Sequence, residues 1–240
     1  MKKKGKKEKI GEVQSDFVTL TSHQLRTPLS GMKWLLELLQ KGGAGSLNKK
    51  QKEFVDKIYA SNERVIALVN DLLEVSRIET GKNKLYLQKT DLTPIVRDIL
   101  KEKASTIKKK RLQISFTTEQ EPFPLVLTEP NKIKQALNNI VTNAINYSPD
   151  GSMMTIDLKK QDDLVLCQIA DSGSGIPKQQ QKLVFSKFFR GDNIVRFETN
   201  GTGLGLFITR AFIEASGGRI WFKSEEGKGT TFYFTLPLAK

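Results

Sequence analysis

Two stretches of the chain repeat apolar or small residues at alternating intervals of three and four, the heptad spacing of long paired helices. The first, within residues 8–40, comprises Ile10, Val13, Phe17, Leu20, Gln24, Thr27, Gly31, Trp34 and Leu38. The second ends near Gly81 and comprises Phe54, Ile58, Ser61, Val65, Leu68, Leu72 and Val75. Because the glycine-rich segment 41–46 separates them, the pattern predicts two helices joined by a short loop as an antiparallel hairpin.

Each predicted helix carries further apolar residues beside this heptad seam, namely Leu35, Leu36, Leu39, Ile66, Val69 and Leu73. One hairpin cannot bury two apolar stripes, so the pattern predicts a homodimer in which two hairpins form a four-helix bundle. Pro28 lies inside the first helix, where it frees the carbonyl of Gln24 and predicts a kink. That kink is either a bend with a functional use or a tolerated structural feature.

From about residue 85 the pattern changes to a mixture of helices and strands. Helices are predicted at 91–109, 131–147 and 203–215, and strands at 112–116, 153–158, 164–170, 219–223 and 230–236. The last four strands form two hairpins, and the order is not a βαβ alternation, so we expect an α+β fold. The predicted domains are a basic tail or truncated linker at 1–9, a helical hairpin at 10–82 and an α+β domain at 85–240.

The formal net charge of +13 raises the question of an anionic partner. Residues 1–9 supply +5 of this charge, and the other basic residues are scattered apart from one cluster at 108–111. No nucleic-acid motif accompanies them, so we expect a solvated basic surface and no nucleic-acid partner.

Cys167 is the single cysteine and lies in an apolar run, which indicates a small core residue in a reducing compartment. No apolar stretch approaches the ~20 residues of a membrane span, and the lysine-rich start lacks the apolar stretch of a secretory signal. These features predict a cytoplasmic location. The chain is then either a cytoplasmic protein or the cytoplasmic portion of a membrane-bound sensor whose membrane segment is absent here.

The chain contains one histidine, His23, five residues before Pro28. A neutral imidazole is nucleophilic and has an unperturbed pKa of ~6.5. His23 immediately precedes a seam position, so it lies at the edge of the seam, where it reaches solvent. The alternatives are a functional nucleophile and an ordinary surface or core-edge histidine.

The helix predicted at 131–147 presents amide side chains on the face opposite its apolar residues: Gln135, Asn139, Asn143 and Asn146. Amides are poor helix formers, so a merely solvated face would rarely be built from them. An amide oxygen can complete the coordination of a phosphate-bound Mg²⁺ without adding negative charge. This amide face is therefore a candidate to bind a phosphate-bound metal ion, with a plain polar surface as the alternative.

Two glycine-rich segments follow, at 171–176 and 201–206. The first comes directly after a buried strand, so Asp171 could accept a hydrogen bond from a base amino group, although such a segment is often only a turn. The second opens a helix and offers backbone N–H groups to phosphate, without being a Walker loop. Between them, the aromatic segment 185–190 ends in Arg190, a candidate for phosphate charge, and 191–200 is predicted to be a mobile lid.

Together these segments resemble the catalytic core of sensor histidine kinases of two-component systems, over nearly the full chain. The resemblance identifies a phosphoacceptor box at 22–29 and an N box at 139–147. It also identifies a first glycine box at 171–176, an aromatic box at 185–190, a second glycine box at 201–206 and a further glycine turn at 227–230. It implies a dimerisation and phosphotransfer hairpin followed by an α/β-sandwich ATP-binding domain of the histidine kinase and gyrase type.

The resemblance also implies a reaction. Nε2 of His23 attacks the γ-phosphate of ATP, ADP is the product, and the phosphoryl group passes to an aspartate in the receiver domain of a response regulator. Gln24 occupies the position after the histidine, Thr27 positions water for dephosphorylating the regulator, and Arg190 offsets charge on the transferring group. Mg²⁺ and nucleotide binding are implied for Asn139, Asn143, Tyr147, Asp171, Gly173, Gly175, Ile176, Phe188, Gly201, Thr202, Gly203, Leu204, Gly205 and Leu206.

Two positions depart from the family pattern. Gln24 stands where the family usually has an acidic residue, and an amide cannot take the proton of an imidazole. Asn146 stands where the family often has a lysine or arginine, a charge that Arg190 or Arg196 could supply. Two alternatives remain: a gyrase- or chaperone-type ATPase, which has no reason to carry His23, and a degenerate scaffold, which should have lost Asn143 or the glycines.

Overall fold

The computed structural model describes residues 2–82, 84–191 and 201–239, and in the first helix the side chains of 20–22 and 24–40. The chain divides into two compact units, Met1–Asn83 and Lys84–Lys240, and each is described here by itself. Among the helices in these ranges, none combines the length and the apolar character that crossing a membrane requires.

The first unit is the predicted helical hairpin. Helix α1 spans Lys2–Gln40 and α2 spans Lys49–Glu79. Asn48 caps α2, because its side chain accepts from the backbone N–H of Gln51 while the Gln51 side chain accepts from the backbone of Asn48. Gly42 and Gly45 have positive φ in the turn between the helices, a conformation that favours glycine.

The hairpin buries a different apolar stripe from the one that the heptad seam indicated. Leu36, Val69 and Leu73, which we had placed beside the seam, are buried. The seam residues Leu20, Trp34, Leu38, Phe54, Ile58, Val65 and Leu68 are all exposed in the single chain, from 37% for Leu38 to 62% for Trp34. The spacing identifies both stripes but does not say which one faces the other helix of the same chain.

The second unit is built on a five-stranded sheet. Its strands are β2 (Gln113–Thr118), β4 (Met153–Gln161), β5 (Leu164–Asp171), β6 (Arg219–Glu225) and β7 (Gly229–Pro237), in the order β2-β4-β5-β7-β6. All neighbouring pairs are antiparallel except β2 and β4. A small antiparallel sheet of β1 (Gln88–Thr90) and β3 (Val126–Thr128) was not predicted, because three-residue strands are too short to show alternation.

The α-helices in the described residues of this unit are α3 (Leu92–Glu102), α4 (Ala104–Lys109), α5 (Pro130–Tyr147) and α6 (Gly205–Ala215). The single helix predicted at 91–109 is therefore two helices, interrupted at Lys103. Asp91 caps the first by accepting from the N–H of Thr93. The core packs alternate strand residues, among them Met154, Ile156, Val165, Ile169 and Phe234, with Ile133, Leu137, Ile140 and Val141 of α5. The predicted α+β class is confirmed.

Candidate functional site

Helix α5 turns its apolar face to the core and its amide face outwards. Nδ2 of Asn139 donates to the carbonyl oxygen of Gly205 (3.1 Å) and to Oγ1 of Thr209 (3.3 Å), which ties α5 to the start of α6. Asn143, one turn further along, is half-buried, and its side chain makes no hydrogen bond to another residue in the described ranges. The amide oxygens of both residues are therefore uncommitted to other described residues.

Asp171 ends β5 and is held in place by backbone groups. Its Oδ1 accepts from the N–H of Gly173 (2.8 Å) and from the N–H of Thr230 (3.2 Å). Burial raises the pKa of Asp171 to about 6, although these two hydrogen bonds act in the opposite direction. In the described part of the chain Oδ2 accepts no hydrogen bond, which leaves it available to a ligand donor.

The first glycine box fits between α5 and the turn that joins β6 to β7. A Cβ atom at Gly173 would lie 2.6 Å from the carbonyl oxygen of Tyr147, and one at Gly175 would collide with the carbonyl oxygen of Glu225. Two hydrogen bonds of 2.8 Å connect the same segments, from Gly227 N–H to the Ser174 carbonyl and from Ile176 N–H to Oγ of Ser224. The glycines are therefore required by close backbone approach.

The second glycine box contacts the aromatic box. Gly203 has φ +70°, and a Cβ there would lie 2.7 Å from the carbonyl carbon of Phe188. The ring of Phe188 is 62% exposed, and its backbone also has positive φ. A Cβ at Gly201 would lie 4.0 Å from Nε of Arg190, so this cation is beside the segment that opens α6.

The other residues of the second glycine box shape this turn. Oγ1 of Thr202 accepts from the N–H of Leu204 (3.2 Å), and Leu204 is fully buried. Leu206 and Ile176 pack against the core, so they support the site by packing. The predicted lid at 191–200 and the candidate Arg196 lie outside the described residues, apart from the buried Gly191.

Sequence reasoning missed several residues that hold these segments. Nε2 of Gln181 donates to the carbonyls of Ile176 (3.0 Å) and Ser224 (3.1 Å), and Oγ of Ser224 lies 2.9 Å from Oγ1 of Thr230. Lys110, predicted to belong to a solvated basic cluster, is half-buried and bonded to the end of α5. The glycine turn at 227–230 was the one sequence signal that pointed to this region.

In the first unit, α1 carries His23, whose side chain lies outside the described side chains. Gln24 and Thr27 are exposed, and Arg26 donates from Nη2 to Oδ1 of Asn70 (2.9 Å). Just after Pro28, the carbonyl oxygen of Leu29 accepts from Nδ2 of the buried Asn62 (3.0 Å).

Within the described ranges, no group of three or more His, Cys, Asp and Glu side chains gathers as a metal site. Helix α5 instead carries neutral amide oxygens, from Asn139 beside Gly205 of the second glycine box and from Asn143 one turn further along. Neutral oxygen ligands suit Mg²⁺ when substrate phosphates supply the negative charge. The residues present therefore fit a phosphate-bound Mg²⁺ ion.

Family models match segments of both units. The model of the His Kinase A (phospho-acceptor) domain matches residues 13–81, and that of the histidine kinase-, DNA gyrase B- and HSP90-like ATPase matches 128–240. In the catalytic domain of histidine kinase ThkA, 95% of the solved chain aligns with 63% of this one at 30% identity and a TM-score of 0.56. This chain belongs to the sensor histidine kinases.

Longer relatives and structures extend the match. The kinase is 36% identical to sensor histidine kinase WalK of Bacillus subtilis over 96% of its own length and 38% of WalK. It is 30% identical to alginate biosynthesis sensor protein KinB of Pseudomonas aeruginosa, over 94% of its own length and 37% of KinB. Full-length ShkA in complex with AMPPNP superimposes with a TM-score of 0.76 at 26% identity, covering 94% of this chain and 46% of ShkA. The chain thus spans less than two fifths of these two curated relatives.

We expect the affinity of this histidine kinase for ADP to fall as the pH falls through about 6. A hydrogen bond from the base amino group needs the ionised carboxylate of Asp171, and the ionised fraction drops about tenfold between pH 7 and pH 5. The Kd from titration calorimetry should therefore rise about tenfold. Asp171→Asn should bind more weakly at pH 7 and lose most of this pH dependence.

Folding stability should change in the opposite direction. A raised pKa means that the folded state holds the Asp171 proton more tightly than the unfolded state does. Its stabilising contribution is therefore full below the unfolded-state pKa and is lost as the pH rises through about 6. Weaker binding at pH 5 by a chain that stays folded would point to the site, whereas equal pH slopes for the native chain and Asp171→Asn would contradict the assignment.

Proposed function

We propose that this chain autophosphorylates His23 with ATP and passes the phosphoryl group to an aspartate in a response regulator receiver domain. The observation that carries the proposal is the assembly of the N, glycine and aromatic boxes through close backbone contacts, on the same chain as a matched phospho-acceptor hairpin. The reaction consumes cytoplasmic ATP, so we place the catalytic core in the cytoplasm.

In the proposed step, Nε2 of neutral His23 attacks the γ-phosphorus of ATP. The bond from that phosphorus to the β,γ-bridging oxygen breaks, and ADP leaves with the electron pair. The imidazolium that forms loses the proton on Nδ1 to solvent water, because the amide of Gln24 cannot accept it. Most of the acceleration therefore comes from positioning and charge neutralisation, as in other phosphoryl transfers.

The remaining site residues take roles that their surroundings support. Asn143 and Asn139 hold Mg²⁺, which neutralises phosphate charge when bound, while Asp171 and Tyr147 bind the adenine. Backbone N–H groups at the positive end of α6, in 201–206, bind phosphate. Arg190 offsets charge on the transferring group. Because Asn146 is uncharged, this positive charge comes from residues outside α5.

In the hairpin, Thr27 lies one helical turn from His23 and is exposed. We assign it to positioning water for dephosphorylation of the receiver domain.

The exposed seam of the hairpin supports a homodimer. Seven seam residues that would gain from burial are 37–62% exposed in the single chain. A second copy offers a seam of the same apolar chemistry, and pairing the two gives a four-helix bundle. A gyrase- or chaperone-type ATPase has no use for such a hairpin, so that alternative is not favoured.

The autokinase activity is tested with γ-labelled ATP and Mg²⁺. The native chain should acquire a label that is acid-labile and alkali-stable, as phosphohistidine is, and His23→Gln should acquire none. Since His23 is the single histidine, no other imidazole can substitute. A label that persists in His23→Gln would exclude His23 as the acceptor, and an unlabelled native chain would exclude the kinase activity.

Replacing Gln24 by Glu should accelerate the autokinase step by about 100-fold, because a carboxylate can accept the imidazole proton. Initial rates of labelling at saturating ATP measure the effect, and sedimentation of Gln24→Glu checks that the variant stays dimeric, because Gln24 is also a seam residue. Ser30→Glu adds the same charge at another exposed position of α1 and should leave the rate unchanged. An unchanged or slower Gln24→Glu enzyme would show that the amide does not limit the reaction.

The dimer is tested by placing charge on the seam. Ile58, 55% exposed in one chain, would carry a buried charge in the bundle as Glu, so Ile58→Glu should shift the sedimenting mass from two chains towards one. Lys52→Glu changes an exposed position of the same helix and should remain dimeric. A native chain that sediments as a monomer at micromolar concentration would contradict the proposal.

A further inference from the structure

The carboxyl-terminal turn of α5 is bonded to a single lysine ammonium group. Nζ of Lys110 donates to the carbonyl oxygens of Ile145 (2.8 Å), Asn146 (2.7 Å) and Ser148 (2.9 Å). An ammonium group has three N–H donors, so all three are used. Lys110 is half-buried, in contrast to the exposed Lys108, Lys109 and Arg111 beside it.

The backbone of Lys110 is fixed as well. Its N–H donates to the carbonyl of Thr106 (3.0 Å) at the end of α4, and its own carbonyl accepts from the N–H of Gly151 (2.8 Å) just after α5. The lysine therefore connects α4 to the end of α5 through both side chain and backbone. The contact joins residues 35 to 38 positions apart in sequence.

The one carbonyl in 145–148 that Lys110 does not bind belongs to Tyr147, and this oxygen faces Gly173. A Cβ at Gly173 would lie 2.6 Å from it and 2.7 Å from Oδ1 of Asp171. The last turn of α5 is thus held between Lys110 on one side and the first glycine box on the other. Tyr147 and Asp171, both assigned to the adenine, lie at this junction.

We propose that Lys110 is a positioning residue of the nucleotide site, which fixes the last turn of α5 and so aligns Tyr147 with the Asp171–Gly173 segment. This inference rests on the proposed nucleotide-binding function of that site. The role needs a lysine, because the planar fork of an arginine cannot direct three donors to three carbonyls of one helical turn. Loss of Lys110 leaves these carbonyls at a helix end where intrahelical partners are absent.

The test measures ADP binding and autokinase kinetics of the full chain. Lys110→Met keeps the aliphatic stem, and we expect its Kd for ADP and its KM for ATP to rise at least tenfold while kcat changes less than threefold. Lys109→Met, at the exposed neighbouring position, should leave both constants unchanged. Val165→Ala, a core variant of the sheet, controls for a general loss of stability, which should lower the melting temperature without raising KM.

A double-mutant cycle with Tyr147→Leu separates positioning from stability. If Lys110 acts through Tyr147, adding Lys110→Met to Tyr147→Leu should weaken ADP binding less than threefold further. Additive losses, or a native Kd in a Lys110→Met chain whose melting temperature has fallen, would overturn the proposal.

If Lys110→Met does not fold, Lys110→Arg decides: a raised Kd supports the three-donor role and a native Kd contradicts it. A native chain that binds no ADP would instead refute the proposed function.

Discussion

The nucleotide site depends on which donors form hydrogen bonds to the carbonyl groups at the carboxyl end of α5. The last carbonyls of any helix lack intrahelical donors, and leaving them buried without partners destabilises the fold. Here three of them accept from Lys110 and the carbonyl between them faces Gly173. Because α5 also carries Asn139 and Asn143, fixing its end fixes the amide face relative to the glycine boxes. The positive charge of Lys110 at this end also interacts favourably with the negative end of the helix dipole.

Glycine makes this site compact because it has no side chain, as much as because its backbone is conformationally free. A Cβ at Gly173, Gly175 or Gly229 would meet the backbone of Tyr147, Glu225 or Asp171 at less than van der Waals distance. Backbone cannot move aside as a side-chain end can. The segments that carry these glycines are therefore held together by direct backbone contact.

The sequence predicted the elements whose signal is local. Periodicity located both hairpin helices, α5, α6 and the four strands of the two hairpins, and glycine spacing located the boxes. It did not locate β1 and β3, which are too short to show alternation, or the break at Lys103. Nor did it locate the stripe that the hairpin buries, because that depends on packing between the two helices. Lys110 shows the limit most clearly. Its neighbours Lys108, Lys109 and Arg111 share its charge, and only the approach of α5 distinguishes it.

Asp171 shows how the fold balances binding against ionisation. Burial makes a carboxylate a stronger hydrogen-bond acceptor because fewer water molecules compete, yet the same burial favours the protonated form, which accepts less well. Two backbone N–H groups on Oδ1 offset part of that penalty and keep the pKa at about 6, below neutral pH. Asp171 is thus half-buried and mostly ionised at pH 7. Removing either N–H donor would raise the pKa of Asp171 further. Asp171 would then be protonated, whereas the proposed hydrogen bond from the adenine amino group requires a carboxylate.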